Sequence, residues 1–299
     1  MAAFTLAHLS DPHLPPLPAP RLIDLAGKRA LGYLNWTRNR HKYQKRDVLD
    51  TLVSDMQAQG PDHIAVTGDL VNLALDAEFA GAATWLESVG EPDRVTVVPG
   101  NHDAYVRATR HRLAESWRDY FGDDAQTGGA SASSSFPFLR RRGPIALIGV
   151  SSAVPTPPLM ATGWLGRAQR DALEGMLTAF STEPVFRVLL IHHPLRSNSR
   201  FKRLTDASDL LALLKRHGVE LVLHGHDHVH STIWIDGPNG TIPVVGVPSA
   251  SALAHGRYPA AAYNLFSIQH DGGVWRCEQI VRGIDKSLRV RQLRQTRLI

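Results

Sequence analysis

The sequence predicts an α/β fold, and three observations carry that reading. Short apolar, β-rich runs recur along the chain, stretches with apolar residues at three-to-four spacing lie between them, and the two kinds alternate. The strands are expected at Phe4 to Leu9, His63 to Thr67, Arg94 to Val98, Ile145 to Val150, Phe186 to Ile191 and Glu220 to Leu223. Each is nearly continuously apolar, as a strand covered on both faces must be, and each stops at a polar cluster. Between them, helices are expected at Val48 to Met56, Phe79 to Leu86, Leu113 to Tyr120, Gln169 to Phe180 and Leu210 to Arg216. Beyond residue 230 the helical spacing disappears. Thr232 to Ile235, Ile242 to Val247, Tyr263 to Gln269 and Val274 to Val281 are separated by Gly and Pro breaks and read as an antiparallel second sheet.

With 299 residues, 43% hydrophobic and 20% charged, the composition is that of a globular enzyme with a substantial core and excludes disordered or fibrous classes. No composition shift divides the chain, so residues 1–299 are read as one domain. Within it, the small-polar run 122–135, with Gly128, Gly129 and three consecutive serines, reads as a flexible surface loop. The sole cysteine, Cys277, has no partner for an internal disulfide and apolar neighbours that suggest burial. No apolar run approaches the ~20 residues of a membrane span, and no basic start leads into an apolar core and a cleavage site, so a cytoplasmic location is the default expectation.

The net charge of +5 is unevenly spread. From Arg21 to Arg46 there are eight Lys or Arg against Asp24, and from Arg282 to the end six against Asp285, which leaves the remainder of the chain net acidic. Solvated basic surfaces are the ordinary reading. The functional one is attraction to an anionic substrate or an anionic lipid surface. Neither segment has the interleaved aromatics of a platform for single-stranded nucleic acid.

Polar residues placed just beyond strand ends in an open α/β sheet have a raised chance of function. Here Asp11-Pro12-His13 follows the first predicted strand, Gly68-Asp69 the second and Gly100-Asn101-His102-Asp103 the third. His192-His193-Pro194 follows the fifth and Gly225-His226-Asp227-His228 the sixth. Taken singly, an Asp at such a point is usually a turn or a helix cap. Five clusters of Asp, Asn and His in order are not explained by turn chemistry. Carboxylate, amide and imidazole donors without thiolates suit zinc, manganese or iron. Two such metals ~3.5–4 Å apart can share one carboxylate and stabilise both the attacking and the leaving oxygen of an in-line displacement. Asp69 is the natural bridge.

The motifs Asp-x-His, Gly-Asp, Gly-Asn-His-Asp, His-x-Pro and Gly-His-x-His, in this order over residues 11 to 228, resemble those of the calcineurin-like metallophosphoesterases. The stretch Gly163 to Leu177, with Gly163-Trp164-Leu165, Gln169 and Leu173-Glu174, is similar to the bacterial class III cyclic nucleotide phosphodiesterase branch. In the diacylglucosamine pyrophosphohydrolase branch, Arg stands where this chain has His102. The resemblance implies a four-layer α/β/β/α sandwich of two mixed sheets flanked by helices. It also implies two metal ions per chain, manganese, iron or zinc. Asp11, His13 and His228 would bind the first, Asn101, His192 and His226 the second, and Asp69 would bridge. His102 would contact the scissile phosphate and protonate or hydrogen-bond the leaving oxygen, and Asp103 would orient His102. The other histidines beside these motifs, His193, His224 and His230, are not ligands in this pattern.

The implied reaction is attack of a metal-bridging hydroxide on a phosphodiester, a 3′,5′-cyclic nucleotide among the candidates, with no covalent enzyme intermediate. A lipid-linked or nucleotide pyrophosphohydrolase, or a phospholipid phosphodiesterase, would use the same metals. A non-catalytic metal-binding scaffold is the alternative of another class, but it would be expected to have lost ligands, and all seven are present. Residues 14–46 read as a basic insertion or lid, whose Leu22 to Trp36 part could form an amphipathic helix. The basic loop after His192-His193-Pro194 places Arg196 and Arg200 as expected contacts of substrate phosphate. Residues 282–299 read as a basic C-terminal tail.

Overall fold

A computed structural model describes residues 3–25, 27–106, 110–124, 136–180 and 183–299. Most of the small-polar run, 125–135, lies outside the described residues. The first half alternates as expected: β1 (Phe4–Leu9), α1 (Lys28–Arg38), α2 (Arg46–Ala58), β2 (His63–Val66), α3 (Asp76–Val89), β3 (Val95–Val97) and α4 (Arg110–Trp117). Then come β4 (Phe138–Arg142), β5 (Ile145–Gly149), α5 (Arg167–Ala179), β6 (Phe186–Leu190), α6 (Ala207–His217) and β7 (Leu221–His224). The chain closes with β8 (Ser231–Gly237), β9 (Gly240–Gly246), β10 (Ala262–Asp271), β11 (Val274–Ile284) and β12 (Val290–Arg297).

The strands form two mixed six-stranded sheets, in the orders β12-β11-β10-β1-β2-β3 and β4-β5-β6-β7-β9-β8. The strands after residue 230 therefore do not make a second sheet of their own. The β8–β9 hairpin extends one sheet through a parallel β7–β9 pairing, whereas β10 runs antiparallel to β1 and carries β11 and β12 with it. Alternation along a strand identifies its faces but not its neighbour, which is why the partition could not be read from the pattern. The basic tail is β12, an edge strand, and the basic segment near Leu22 is split into a 3₁₀ turn, Leu22–Leu25, and α1 rather than one helix.

Period-2 alternation in the second sheet decides the layering. Ile145 and Leu147, with Phe186, Val188, Leu221 and Leu223, pack against the first sheet and its helices α2 and α3 in one core. Ala146, Ile148 and Val150 point the other way, onto Leu173 and Leu177 of α5 and Leu210 and Leu214 of α6. The result is helix, sheet, sheet, helix. β4 was not foreseen because Phe138-Leu139-Arg140-Arg141-Arg142 reads as a charge run. Arg140 is nonetheless buried, and its guanidinium donates to the carbonyls of Gly122, Pro92, Val95 and Asp119, fastening β4 to the loops around β3.

Register places the site. Leu9 is level with Val66 and Val66 with Val97, so the loops leaving β1, β2 and β3 emerge side by side. Leu190 is level with Leu223, which does the same for the loops after β6 and β7. Asp55 of α2 receives both Nη2 and Nε of Arg282 at 2.7 and 2.8 Å and the hydroxyl of Tyr263 at 2.6 Å, tying the helix to the added strands. Burial alone would raise the Asp55 carboxyl, but the bonds from Arg282 and Tyr263 outweigh it and hold the pKa below the usual carboxylate value. A depressed pKa stabilises the fold above the ordinary carboxylate pKa and ceases to do so as pH falls through the folded value. Asp55→Asn should therefore cost about 1–2 kcal/mol in urea unfolding at pH 7, given the partial exposure of the cluster, and progressively less as pH falls below the ordinary carboxylate value. A loss that does not diminish with falling pH would contradict this account.

Candidate metal centre

The centre is built on strained backbone. Asp11, His13, Asp69, His226 and His228 all have φ between 38° and 71°, five of the eight non-glycine residues with positive φ among the described residues. Asp and His tolerate this region better than most side chains, and such strain persists where the surrounding structure enforces it. The glycines of the motifs make the enforcement possible. Gly68, at φ 91°, approaches so closely that a Cβ there would sit 2.4 Å from the amide nitrogen of Gly100, and a Cβ on Gly100 would meet Asp69 Oδ1 at 2.2 Å.

The side chains converge from both sheets. His228 Nε2 lies 3.1 Å from Asp11 Oδ1 and 3.3 Å from His13 Nε2. Asp69 Oδ2 stands between the two halves, 3.7 Å from His13 Nε2 and 3.4 Å from His192 Nε2. On its far side, His192 Nε2 is 3.3 Å from both Asn101 Oδ1 and His226 Nδ1. Asp11, His13 and His228 thus form one group able to hold a cation, and Asp69, His192 and His226 a second. All seven residues proposed from sequence are brought together, Asn101 alongside the second group.

Hydrogen bonds settle which ring atoms face inward. His13 Nδ1 meets the carbonyl of Val71 at 3.2 Å and His192 Nδ1 that of Thr67 at 2.6 Å. A carbonyl only accepts, so both Nδ1 atoms carry hydrogen and both Nε2 atoms point to the centre, the arrangement metal-bound imidazoles use. Asp11 Oδ2 accepts the His226 amide and Asp69 Oδ1 the His102 amide, leaving one oxygen of each for the centre. His226 Nε2 is buried without a hydrogen-bond partner among the described residues.

Electrostatics point the same way. Burial would raise both carboxylates, but the surrounding imidazoles, His228 at Asp11 and His192 at Asp69, bring them below the usual range, so both are anions. Burial should lower His192, yet the charges of Asp69 and Asp11 lift it to about 10. A fully buried site with a potential negative enough to do that attracts a multivalent cation, since buried anions need compensating charge. The donors present fit two metal ions of the borderline kind.

Two expectations about the surroundings need correction. Asp103 does not orient His102. Its carboxylate accepts four backbone amides, those of Asp69 and Gly100 at 2.8 Å and of Leu70 and Val71 at 2.9 and 3.1 Å, and so pins the loop after β2 to the loop after β3. Burial and the nearby Asp69 charge push Asp103 up to about 7 against those amides. His102 is held instead by its Nδ1–H on the Asn72 carbonyl at 2.6 Å, with Tyr105 stacked on the ring at 5.2 Å. Nor do Arg196 and Arg200 reach the site. Both are exposed, Arg200 lies over the Phe201 ring, and neither lines the cleft of about 480 Å³ that opens beside His102.

The cations that do line this cleft are Lys28, Arg40 and Lys202. Arg40 Nη2 lies 3.1 Å from His102 Nε2, and burial together with this positive neighbour lowers His102 to about 3, keeping the ring neutral. Arg40 and Lys28 belong to the basic insertion, whose net charge signalled an anionic ligand without saying which residues meet it. α1 turns Lys28, Leu31, Gly32, Asn35 and Trp36 to the cleft, one helical face. Gly32 allows this, because a Cβ there would meet Leu73 Cδ2 at 2.5 Å and the Tyr105 hydroxyl at 2.6 Å. Arg29 donates to the carbonyls of Leu73 and Ala74, so the insertion is a cap fastened to the loop after β2, the one whose Asn72 carbonyl holds His102.

The adjoining histidines are structural. His193 joins Ser152 Oγ at 2.8 Å to the Ala161 carbonyl at 3.2 Å, and a Cβ on Gly163 would strike its ring, which accounts for one glycine of the Gly163-Trp164-Leu165 stretch. His224 contacts the Gly225 carbonyl and Ser231. Among the described residues, no helix is long and apolar enough to cross a membrane.

Comparison with known proteins is consistent with this geometry. Residues 4–230 match the family described as calcineurin-like phosphoesterase. A search of curated protein sequences gave no match. Among solved structures, a dimetal phosphatase from Danio rerio is similar with TM-score 0.63 and 12% identity, over 99% of each chain. The purple acid phosphatase of yellow lupin (Lupinus luteus) seeds is similar with TM-score 0.60 and 13% identity, over 94% of this chain and 52% of its own. The anchor in the inner membrane complex of Plasmodium is similar too, with TM-score 0.57 and 12% identity over 100% of this chain and 89% of its own. At such identities the likeness is one of fold.

Gly225 offers a test of the centre. A Cβ there would meet Ser10 Oγ at 1.9 Å and Asp11 Oδ2 at 2.4 Å. Gly225→Ala should displace the Asp11 carboxylate and reduce manganese bound per chain, measured by elemental analysis after dialysis, by at least about tenfold in affinity, the scale of disrupted ligand support. Unchanged manganese binding would remove Asp11 from the centre.

Proposed function

Since the chain belongs to the calcineurin-like phosphoesterases, we propose that it hydrolyses a phosphodiester at a centre of two metal ions, manganese, iron or zinc. In this reading Asp11, His13 and His228 would hold one ion and Asn101, His192 and His226 the other, with Asp69 available to both. The observation that carries it is the position of Asp69 Oδ2 between two groups of donors, each containing an imidazole, His13 or His192, whose Nδ1 is held from outside by a backbone carbonyl. Ions bound there lower the pKa of water towards neutrality and neutralise charge developing on the phosphoryl oxygens.

The chain's own groups do the rest. Hydrolysis adds the water oxygen to phosphorus, breaks one ester P–O bond and must return a proton to the departing oxygen. His102 presents Nε2 to the cleft because Asn72 occupies Nδ1. A bound phosphodiester anion would draw Arg40 towards itself and offset the charge that keeps His102 neutral, favouring a proton on Nε2 within reach of the leaving oxygen. Asp103 contributes by holding Asp69 and the β3 loop in place. A diester rather than a monoester suits a cleft with cations beside His102 and further room lined by apolar side chains, because a diester carries one charge and two organic groups.

After chelation the protein should be inactive on bis-p-nitrophenyl phosphate and regain turnover with added manganese, zinc or iron, at a rate exceeding that on p-nitrophenyl phosphate. Asn101→Ala and His102→Ala should each lower kcat/KM by roughly 100-fold or more. Preference for the monoester would reject the phosphodiester reading, and activity indifferent to metal would reject the centre itself.

A further inference from the structure

The cleft beside His102 has two kinds of wall. Towards His102 it carries Arg40 and Lys28; at its mouth stand Leu31, Leu159 and Phe201. These three are 47%, 88% and 47% exposed. Single exposed apolar residues are ordinary, but these come from three separate segments and meet around one opening.

The rim is built. Lys28 Nζ donates to Thr156 Oγ1 at 2.8 Å and to the Met160 carbonyl at 3.3 Å, and the Met160 amide returns to the Pro157 carbonyl at 3.2 Å, closing the turn that displays Leu159. Leu159 has φ 66°, a conformation unfavourable for leucine, and projects into solvent, so it is kept there by neither local preference nor core packing. The Ala161 amide donates to the Phe201 carbonyl at 2.8 Å, joining the second apolar segment to the third. A cap helix, a strained turn and a loop are thus bonded so that their apolar side chains ring the entrance to a cationic interior.

We propose that the substrate is an amphiphilic phosphodiester whose apolar chain lies against Leu31, Leu159 and Phe201 while its phosphate meets Arg40 and His102. This rests on the phosphodiesterase reading for its chemistry. The rim itself is a claim about binding and can be tested without turnover.

The measurement is calorimetric binding to the manganese-loaded protein of methyl alkylphosphonates, ethyl to octyl, whose alkyl group is joined to phosphorus through carbon. All are used below their micelle concentrations. The Kd should tighten with chain length, by about fourfold for each methylene fully buried and at least tenfold across the series. In Leu159→Ser and Phe201→Ser the ratio of ethyl to octyl Kd should fall towards one. A Kd that is flat with chain length, or a gain retained in both variants, overturns the proposal. So does a chain-length effect that appears only when phospholipid vesicles are added, because that would make the rim a membrane contact rather than part of the substrate site. Alkyl p-nitrophenyl phosphates provide the parallel turnover assay. No hydrolysis with the binding trend intact would defeat the phosphodiesterase reading and leave the rim standing.

Discussion

One buried carboxylate organises the site without entering its chemistry. Asp103 accepts amides from Asp69, Leu70, Val71 and Gly100, and in doing so closes two loops from neighbouring strands over each other. Four amide bonds converging on one side chain hold the loop that carries Asp69 at positive φ and keep Gly68 and Gly100 in contact. Everything downstream depends on this: the reach of Asp69 to both His13 and His192, the amide of His102 on Asp69, and the Asn72 carbonyl that sets the His102 tautomer.

The centre illustrates how a protein keeps expensive charges buried. Asp11 and Asp69 are buried anions, and two of the surrounding imidazoles are fixed by carbonyls of the loop after β2, Val71 for His13 and Thr67 for His192. The second of these contacts crosses from one sheet to the other, so the sheets meet at the centre as well as in the hydrophobic interior. The cap is fastened to both loops, through Arg29 on Leu73 and Ala74 after β2 and through Arg40 on His102 after β3.

Much of this was legible in the sequence. Strand positions in the first 224 residues other than β4, and the polar clusters at their ends, follow from continuous apolar runs that stop at Asp, Asn or His, because such residues at one strand end after another serve cation binding far better than they serve turns; which seven of them are donors comes from the family resemblance. Side-chain periodicity could not assign β8 to β12 to their sheets, since pairing is a property of distant segments. Asp103 was misplaced because the family resemblance gives it to the His102 ring, whereas a tight turn sends its carboxylate back among the amides. Arg196 and Arg200 were favoured for following a ligand, yet the loop turns Lys202 and Phe201 to the cleft instead. Arg40 stood in a basic stretch with no feature separating it from Arg38 or Lys42.

The pairing of β1 with β10, with Phe4 opposite Ile268, has a consequence in time. β1 is synthesised early and carries Asp11 on its end, but it lacks one of its two neighbours until more than two hundred further residues have been translated. His226 and His228 are also late. Asp11 and the two late histidines therefore cannot meet until most of the described residues have been made, and β1 gains its second neighbour later still.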